Sequence, residues 1–225
     1  MKPKGHTWPQ YLRNGIGLKV SKVGERLGID ALTYNPVIME LFHSIAIQNA
    51  PKVVASMREI FPNARSVIDV GCGSGAYAAE FQRTGIKSIG LEHSPHGVEL
   101  ARKQGVDCRP FDVAMPVAEQ IREVADLVYS FEVAEHLPAS LADNFVHFMA
   151  SLGPLVVFAA AQPKQGGIGH INEQPRSYWI EKFERAGCQY STAESETLRA
   201  RLRKDETSDW FYKNTCVFRG ATNRE

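Results

Sequence analysis

With 225 residues, 44% of them apolar, the chain can bury the core of one α/β domain plus a modest extension. A net charge of +1 gives no overall attraction to nucleic acid or to an anionic membrane, and no segment approaches the roughly 20 apolar residues of a membrane span. Four widely spaced cysteines without a CxxC pair argue against a zinc knuckle or a redox dithiol, and the first residues lack the apolar centre of a secretory signal, so a cytoplasmic location with reduced, buried thiols is expected.

Residues 1–64 carry helical spacing over 36–50 and 51–60, punctuated by Pro51 and Pro62, and predict a helical cap that forms one unit with residues 65–225. His6, Trp8 and Tyr11 in this segment read as packing rather than substrate contacts. From residue 65 onward apolar runs alternate with helical patterns. Strands are expected at 66–70, 88–91, 107–111, 125–130, 154–160, 188–191 and 215–219, and helices at 76–84, 97–104, 139–151, 177–186 and 193–204. That alternation predicts a doubly wound sheet, in which ligands bind at the carboxyl ends of the strands.

The first strand ends in Asp69-Val70-Gly71-Cys72-Gly73-Ser74-Gly75 and runs into a helix. Alternate glycines allow the backbone to turn sharply and approach a ligand, and the helix start offers free N–H groups to an anionic moiety. An acidic residue about 20 positions on is the usual ribose partner of such a loop. Glu92 stands there, at the end of the second strand, and Asp112 follows the third.

The Asp-x-Gly-x-Gly-x-Gly spacing, together with Glu92 and Asp112, resembles the cofactor site of the class I S-adenosylmethionine (SAM) methyltransferases. That resemblance implies a Rossmann-like, seven-stranded sheet with an antiparallel last strand, and a cofactor site built from Asp69, Gly71, Gly73, Gly75, Glu92, Asp112 and Ser130. In the family the loop faces the methionine part of SAM, the residue in the place of Glu92 holds the ribose, and the residue in the place of Asp112 holds the adenine amino group.

After the fourth strand comes Ser130-Phe131-Glu132-Val133-Ala134-Glu135-His136-Leu137-Pro138. One helical turn would place Glu132, Glu135 and His136 on a single face as donors for a divalent cation, Mg²⁺ through the oxygens or Mn²⁺, Zn²⁺ or Fe²⁺ with the imidazole. The segment resembles the ExxEH element with which small-RNA 2′-O-methyltransferases and some ubiquinone-pathway O-methyltransferases bind a metal. Similar segments in other methyltransferases shape the SAM pocket without one. The loop at 162–175 carries three glycines and His170, which can be aimed at the same face as a fourth ligand, act as a general base, or bond a backbone carbonyl. His136 is the other candidate base. Gly-Gly-x-Gly-His-x-Asn-Glu-Gln-Pro-x-x-Tyr-Trp resembles bacterial and phage class I methyltransferases associated with saccharide or surface-polymer modification.

These resemblances imply methyl transfer from SAM to a hydroxyl of a small molecule or saccharide, with a divalent cation or with an unaided histidine base. N-methylation and RNA 2′-O-methylation stand as alternatives. The basic run Arg199, Arg201, Arg203, Lys204 is interspersed with acids and reads as a solvated helix face, so nucleic acid is not the expected partner. A synthase using decarboxylated SAM would need an acidic polyamine pocket that the sequence lacks, and a catalytically silent subunit would not require the histidines.

Overall fold

The computed structural model describes residues 8–220; His6 and the side chains of Trp8 and Tyr11 lie outside what it describes. Helices α1 (Trp8–Leu27), α2 (Asp30–Thr33) and α3 (Pro36–Ile60) precede the first strand. Strands β1 (Ser66–Val70), β2 (Lys87–Glu92), β3 (Asp107–Pro110), β4 (Leu127–Phe131), β5 (Leu155–Ala159), β6 (Cys188–Tyr190) and β7 (Cys216–Gly220) form one seven-stranded sheet in the order β3-β2-β1-β4-β5-β7-β6. The first five strands pair in parallel, and β7 runs antiparallel to both β5 and β6.

Helices α4 (Ala76–Arg83), α5 (Pro95–Lys103), α6 (Val117–Gln120), α7 (Ala142–Ser151), α8 (Arg176–Arg185), α9 (Thr192–Lys204) and α10 (Asp209–Asn214) supply the connections. Strand residues alternate between faces, so one face packs Val128, Val156 and Phe158 against Phe145, Phe148, Trp179 and Phe183 of α7 and α8. The opposite face packs Leu127, Tyr129 and Val157 against Val53 and Met57 of α3 and Leu198 of α9.

The expected break at Pro51 is absent, because α3 runs through it as a single helix. Its second half is core, and its first half reaches past the sheet towards the strand ends. Asn35 caps the helix, its Oδ1 accepting from the Val37 and Ile38 amides at 3.1 and 3.4 Å, while its Nδ2 donates to the Gly17 and Leu32 carbonyls at 3.0 and 2.9 Å. One side chain therefore joins α1, α2 and α3. The basic run on α9 is tied internally: Arg199 donates to the Thr215 carbonyl, Arg201 pairs with Asp205 and Glu59, and Arg203 stands 4.9 Å over the Tyr212 ring.

Candidate active site

Strand order reverses between β1 and β4, and the chain leaving these two neighbours opens a cleft at their carboxyl ends. A cavity of about 280 Å³ sits there. The glycine loop and Asp69 form one wall, Glu132, His136 and His170 another, and Phe42, Ile45 and Ala46 of α3 cover it.

The glycine loop has the conformation its composition demands. Gly71, Gly73 and Gly75 have φ of +77°, +54° and +75°, a region in which a side chain is strained. A Cβ at Gly71 would lie 2.5 Å from Val133, whereas one at Gly73 meets nothing within 4 Å. The loop is therefore packed on one side and open on the other. Glu92 braces it, accepting from the Gly73 amide at 2.7 Å through Oε2 and from the Ser94 amide at 2.8 Å through Oε1. From the cap, His43 Nδ1 meets the Ser74 hydroxyl at 2.8 Å.

Asp69 is buried in the cavity wall, and its Oδ2 has no hydrogen-bond partner. Desolvation, opposed by the adjacent Tyr129 hydroxyl and reinforced by Glu92, pushes its carboxyl up to about 8. Asp112 lies at the end of β3, outside the cavity wall; its Oδ1 accepts from the Ala114 amide at 2.9 Å and its own amide donates to Gln120 at 2.6 Å. Ser130 is fully buried and does not line the cavity. Strand alternation accounts for this: Tyr129 and Phe131 share the cavity-side face, and Ser130 takes the other.

The expected single helical face of Glu132, Glu135 and His136 does not form. Glu132 has φ +55° and ends the strand, and a 3₁₀ turn then covers Ala134–His136. Leu137 is extended (φ −90°, ψ 141°), as the residue before a proline tends to be, so Pro138 denies the segment an α-helical turn. Glu132 is directed elsewhere, accepting from Asn214 Nδ2 at 2.9 Å and from Gln165 Nε2 at 2.5 Å.

Glu135, His136 and His170 do converge, with one donor atom from each lying within 4.8 Å of the others. Glu135 is 0% exposed, and neither carboxylate oxygen finds a hydrogen bond of good geometry. Burial, with repulsion from Glu132, holds its carboxyl well above the ordinary range. The Glu135 carbonyl accepts from the Ile171 and Asn172 amides, both at 2.9 Å, and this folds the glycine-rich loop back over β4. The His136 and His170 rings stand 4.9 Å apart, edge to face.

His136 Nδ1 lies 3.2 Å from the Gly169 carbonyl and 2.9 Å from the Tyr34 hydroxyl. A carbonyl only accepts, which favours Nδ1–H and leaves the Nε2 lone pair available. Desolvation and the neighbouring His170 lower this imidazole to about 4, so it is neutral at physiological pH. His170 Nδ1 is 2.9 Å from Glu173 Oε1, and its Nε2 is 3.9 Å from Glu135 Oε1. Glu173 also accepts from the Gly166 and Lys164 amides at 2.6 and 2.8 Å, and the imidazole holds its carboxyl below the usual range. Sequence reasoning missed both Glu173 and Tyr34. The three-residue spacing of His170 and Glu173 was a readable signal; nothing local marks Tyr34, which arrives from the cap.

A family model described as a methyltransferase domain matches residues 42–202. An uncharacterised methyltransferase of Mycobacterium leprae is 38% identical over 82 residues, 34% of this chain and 29% of the relative. The ubiquinone biosynthesis O-methyltransferase of a Methylobacterium species is 29% identical over 122 residues, 50% of this chain and 43% of the relative. The chain thus matches less than half the length of either relative. Among solved structures, SAM-bound CalS10, an amino pentose methyltransferase from Micromonospora echinaspora, superimposes with a TM-score of 0.61 at 18% identity, covering 77% of this chain and 91% of CalS10. With the family match spanning most of its length and the seven-stranded sheet in place, the chain belongs to the methyltransferase family and has the class I fold.

Proposed function

We propose that the chain transfers a methyl group from SAM to a hydroxyl of a small molecule or saccharide, using a divalent cation held by Glu135, His136 and His170. The observation that carries this reading is the meeting of the glycine loop and the histidine-bearing wall in one cavity. CalS10 acts on an amino pentose and the Methylobacterium relative is an O-methyltransferase, which supports a small hydroxylated acceptor.

The residues fit the cofactor. A Cβ at Gly73 would enter open space where a ligand would lie, and the unpartnered Asp69 oxygen suits a cationic group. When bound, SAM supplies a methyl group already activated on a sulfonium. The chain's own part would be to position: the loop would bring its backbone close at Gly73, Asp69 would face the positive end, and Glu92, which braces the loop from behind the cavity wall, would offer its remaining lone pairs to ribose hydroxyls. In-line alignment of donor and acceptor removes much of the entropic barrier.

The donor set also fits a metal. Two imidazoles with one buried, unpartnered carboxylate suit Mn²⁺, Zn²⁺ or Fe²⁺ better than Mg²⁺, and three protein ligands leave coordination positions open. Glu132 is not part of this set. A cation there would supply Lewis acidity towards the acceptor oxygen.

A second reading rests on the contact between His170 and Glu173. With Nδ1–H donating to Glu173, His170 Nε2 can take the acceptor proton without a metal. Burial depresses the His136 imidazole to about 4, which makes it a weak base. Methyl transfer from labelled SAM to pooled saccharide, phenol and RNA acceptors, with and without EDTA, separates the two. Metal dependence predicts turnover lost in EDTA, restored by Mn²⁺, and lost again in Glu135→Gln with SAM binding retained. Full turnover in EDTA, with loss only in His170→Ala, would leave the imidazole as the base.

A further inference from the structure

Over residues 16–27, helix α1 turns its small residues inward and its large aliphatic ones out. Gly17, Ser21 and Gly24, at i, i+4 and i+7, are buried. A Cβ at Gly17 would stand 2.5 Å from Val37, and one at Gly24 would stand 2.4 Å from the Thr33 nitrogen. That face therefore meets α2 and α3 at backbone distance. The aliphatic residues look the other way: Ile16, Val23 and Leu27, at i, i+7 and i+11, are 64%, 47% and 63% exposed, with half-buried Val20 between them. A helix packed on a domain ordinarily does the reverse.

Beside this stripe run Lys19, Lys22 and Arg26, at i, i+3 and i+7, all exposed. A 3.6-residue period places the aliphatic residues within about 40° of one line and the cations roughly 60–120° to one side of it. Glu25, the acid of this stretch, is directed at the site instead, with Oε1 accepting from the Gly169 amide at 2.6 Å. Over residues 16–27 the outer surface of α1 is thus aliphatic with a basic border, on a chain whose net charge is only +1.

We propose that this face of α1 seats on an anionic lipid surface, its aliphatic stripe at the acyl boundary and Lys19, Lys22 and Arg26 among the phosphates. Charge complementarity selects this occupant. An antiparallel two-fold pairing with a second copy would set the two basic rows on the same side of the interface, against each other. A nucleic acid would gain nothing from aliphatic side chains, which offer no stacking surface. No described helix is long and apolar enough to cross a membrane, so α1 lies on the surface rather than through it.

Sedimentation of the full chain with phosphatidylcholine vesicles, with and without phosphatidylglycerol, tests this. Binding is expected only to the anionic vesicles, and weaker at high salt. Lys19→Ala and Lys22→Ala should each weaken it about fivefold. Ile16→Ser combined with Leu27→Ser should abolish it, with circular dichroism unchanged because all four sites are exposed. Failure of the unmodified chain to bind the anionic vesicles, or equal binding by the variants, would overturn the proposal. So would an oligomer in size-exclusion chromatography that Ile16→Ser and Leu27→Ser dissolve, since the stripe would then belong to a second copy.

Discussion

Asp69 carries a proton at neutral pH because its buried carboxyl titrates at about 8. A cation entering the cavity beside it would draw that proton off. SAM affinity should therefore rise with pH up to about 8, by as much as about tenfold per unit, and level off above. Calorimetry at neutral pH in two buffers of different ionisation enthalpy should show close to one proton released; an affinity flat across this range would separate Asp69 from the cofactor's positive end. The ligand-free protein carries the same linkage with signs that can be worked out. Folding raises the Asp69 pKa from 3.8 to about 8, so this stabilisation is complete below 3.8 and is lost as pH rises to 8. Folding depresses His136 from 6.5 to about 4, so its stabilisation is present above 6.5 and is lost as pH falls to 4. Glu92→Ala should cost SAM roughly 1.5–3 kcal/mol of binding, the worth of hydrogen bonds to a charged group. Gly73→Val should lose binding more completely, because its side chain would fill the open side of the loop at a φ of +54°. Wild-type affinity in a folded Gly73→Val protein would move the cofactor away from that loop.

Among the elements, the contact between cap and glycine-rich loop decides how His136 is held. The Gly169 amide reaches Glu25 of α1, and a Cβ at Gly169 would lie 2.2 Å from the Tyr34 hydroxyl, which itself touches His136. Gly169→Ala should displace Tyr34 and cut turnover strongly while leaving SAM binding near normal. Tyr34→Phe removes only the hydroxyl, so a role in orienting a metal-bound imidazole predicts a loss of Mn²⁺ affinity of about 10–100-fold. Unchanged metal affinity in Tyr34→Phe would reduce that hydroxyl to packing. The alternating pattern from residue 65 was legible because β1, β2, β4 and β5 are short, largely apolar runs, the first closed by Gly71. Helix α1 was not, since Gly15, Gly17 and Gly24 weaken its propensity and its aliphatic residues face outward. Pro51 misled for a related reason: tertiary packing of Val53, Val54 and Met57 holds α3 together across a residue that would end an isolated helix. The absence of an α-helical turn at Ala134–His136 was readable from Pro138, and with it the loss of a single helical face for Glu132, Glu135 and His136.

At the scale of the whole molecule, the fold and the left-handed turns of the glycine loop were written in periodicity and glycine spacing, whereas the histidine-bearing wall depended on long-range contacts that no local pattern encodes. Glu132 with Asn214 and Gln165, and His136 with Tyr34, join residues far apart in the chain. A ligand that binds the folded cavity alone must stabilise the entire unit. S-adenosylhomocysteine at 100 times its dissociation constant should add about 2.7 kcal/mol, which for a chain of this size raises the melting midpoint by about 5–10 °C. Thermal denaturation with and without it provides the measurement, and no shift would deny the cavity a nucleoside ligand. The loop between β5 and α8 touches the cap through Gly169, the β4 exit through Ile171 and Asn172, and α10 through Gln165, yet makes none of the bonds that shape the glycine loop. On the proposed function, exchanging that one segment is therefore expected to alter acceptor choice while the bonds that shape the glycine loop stay as they are.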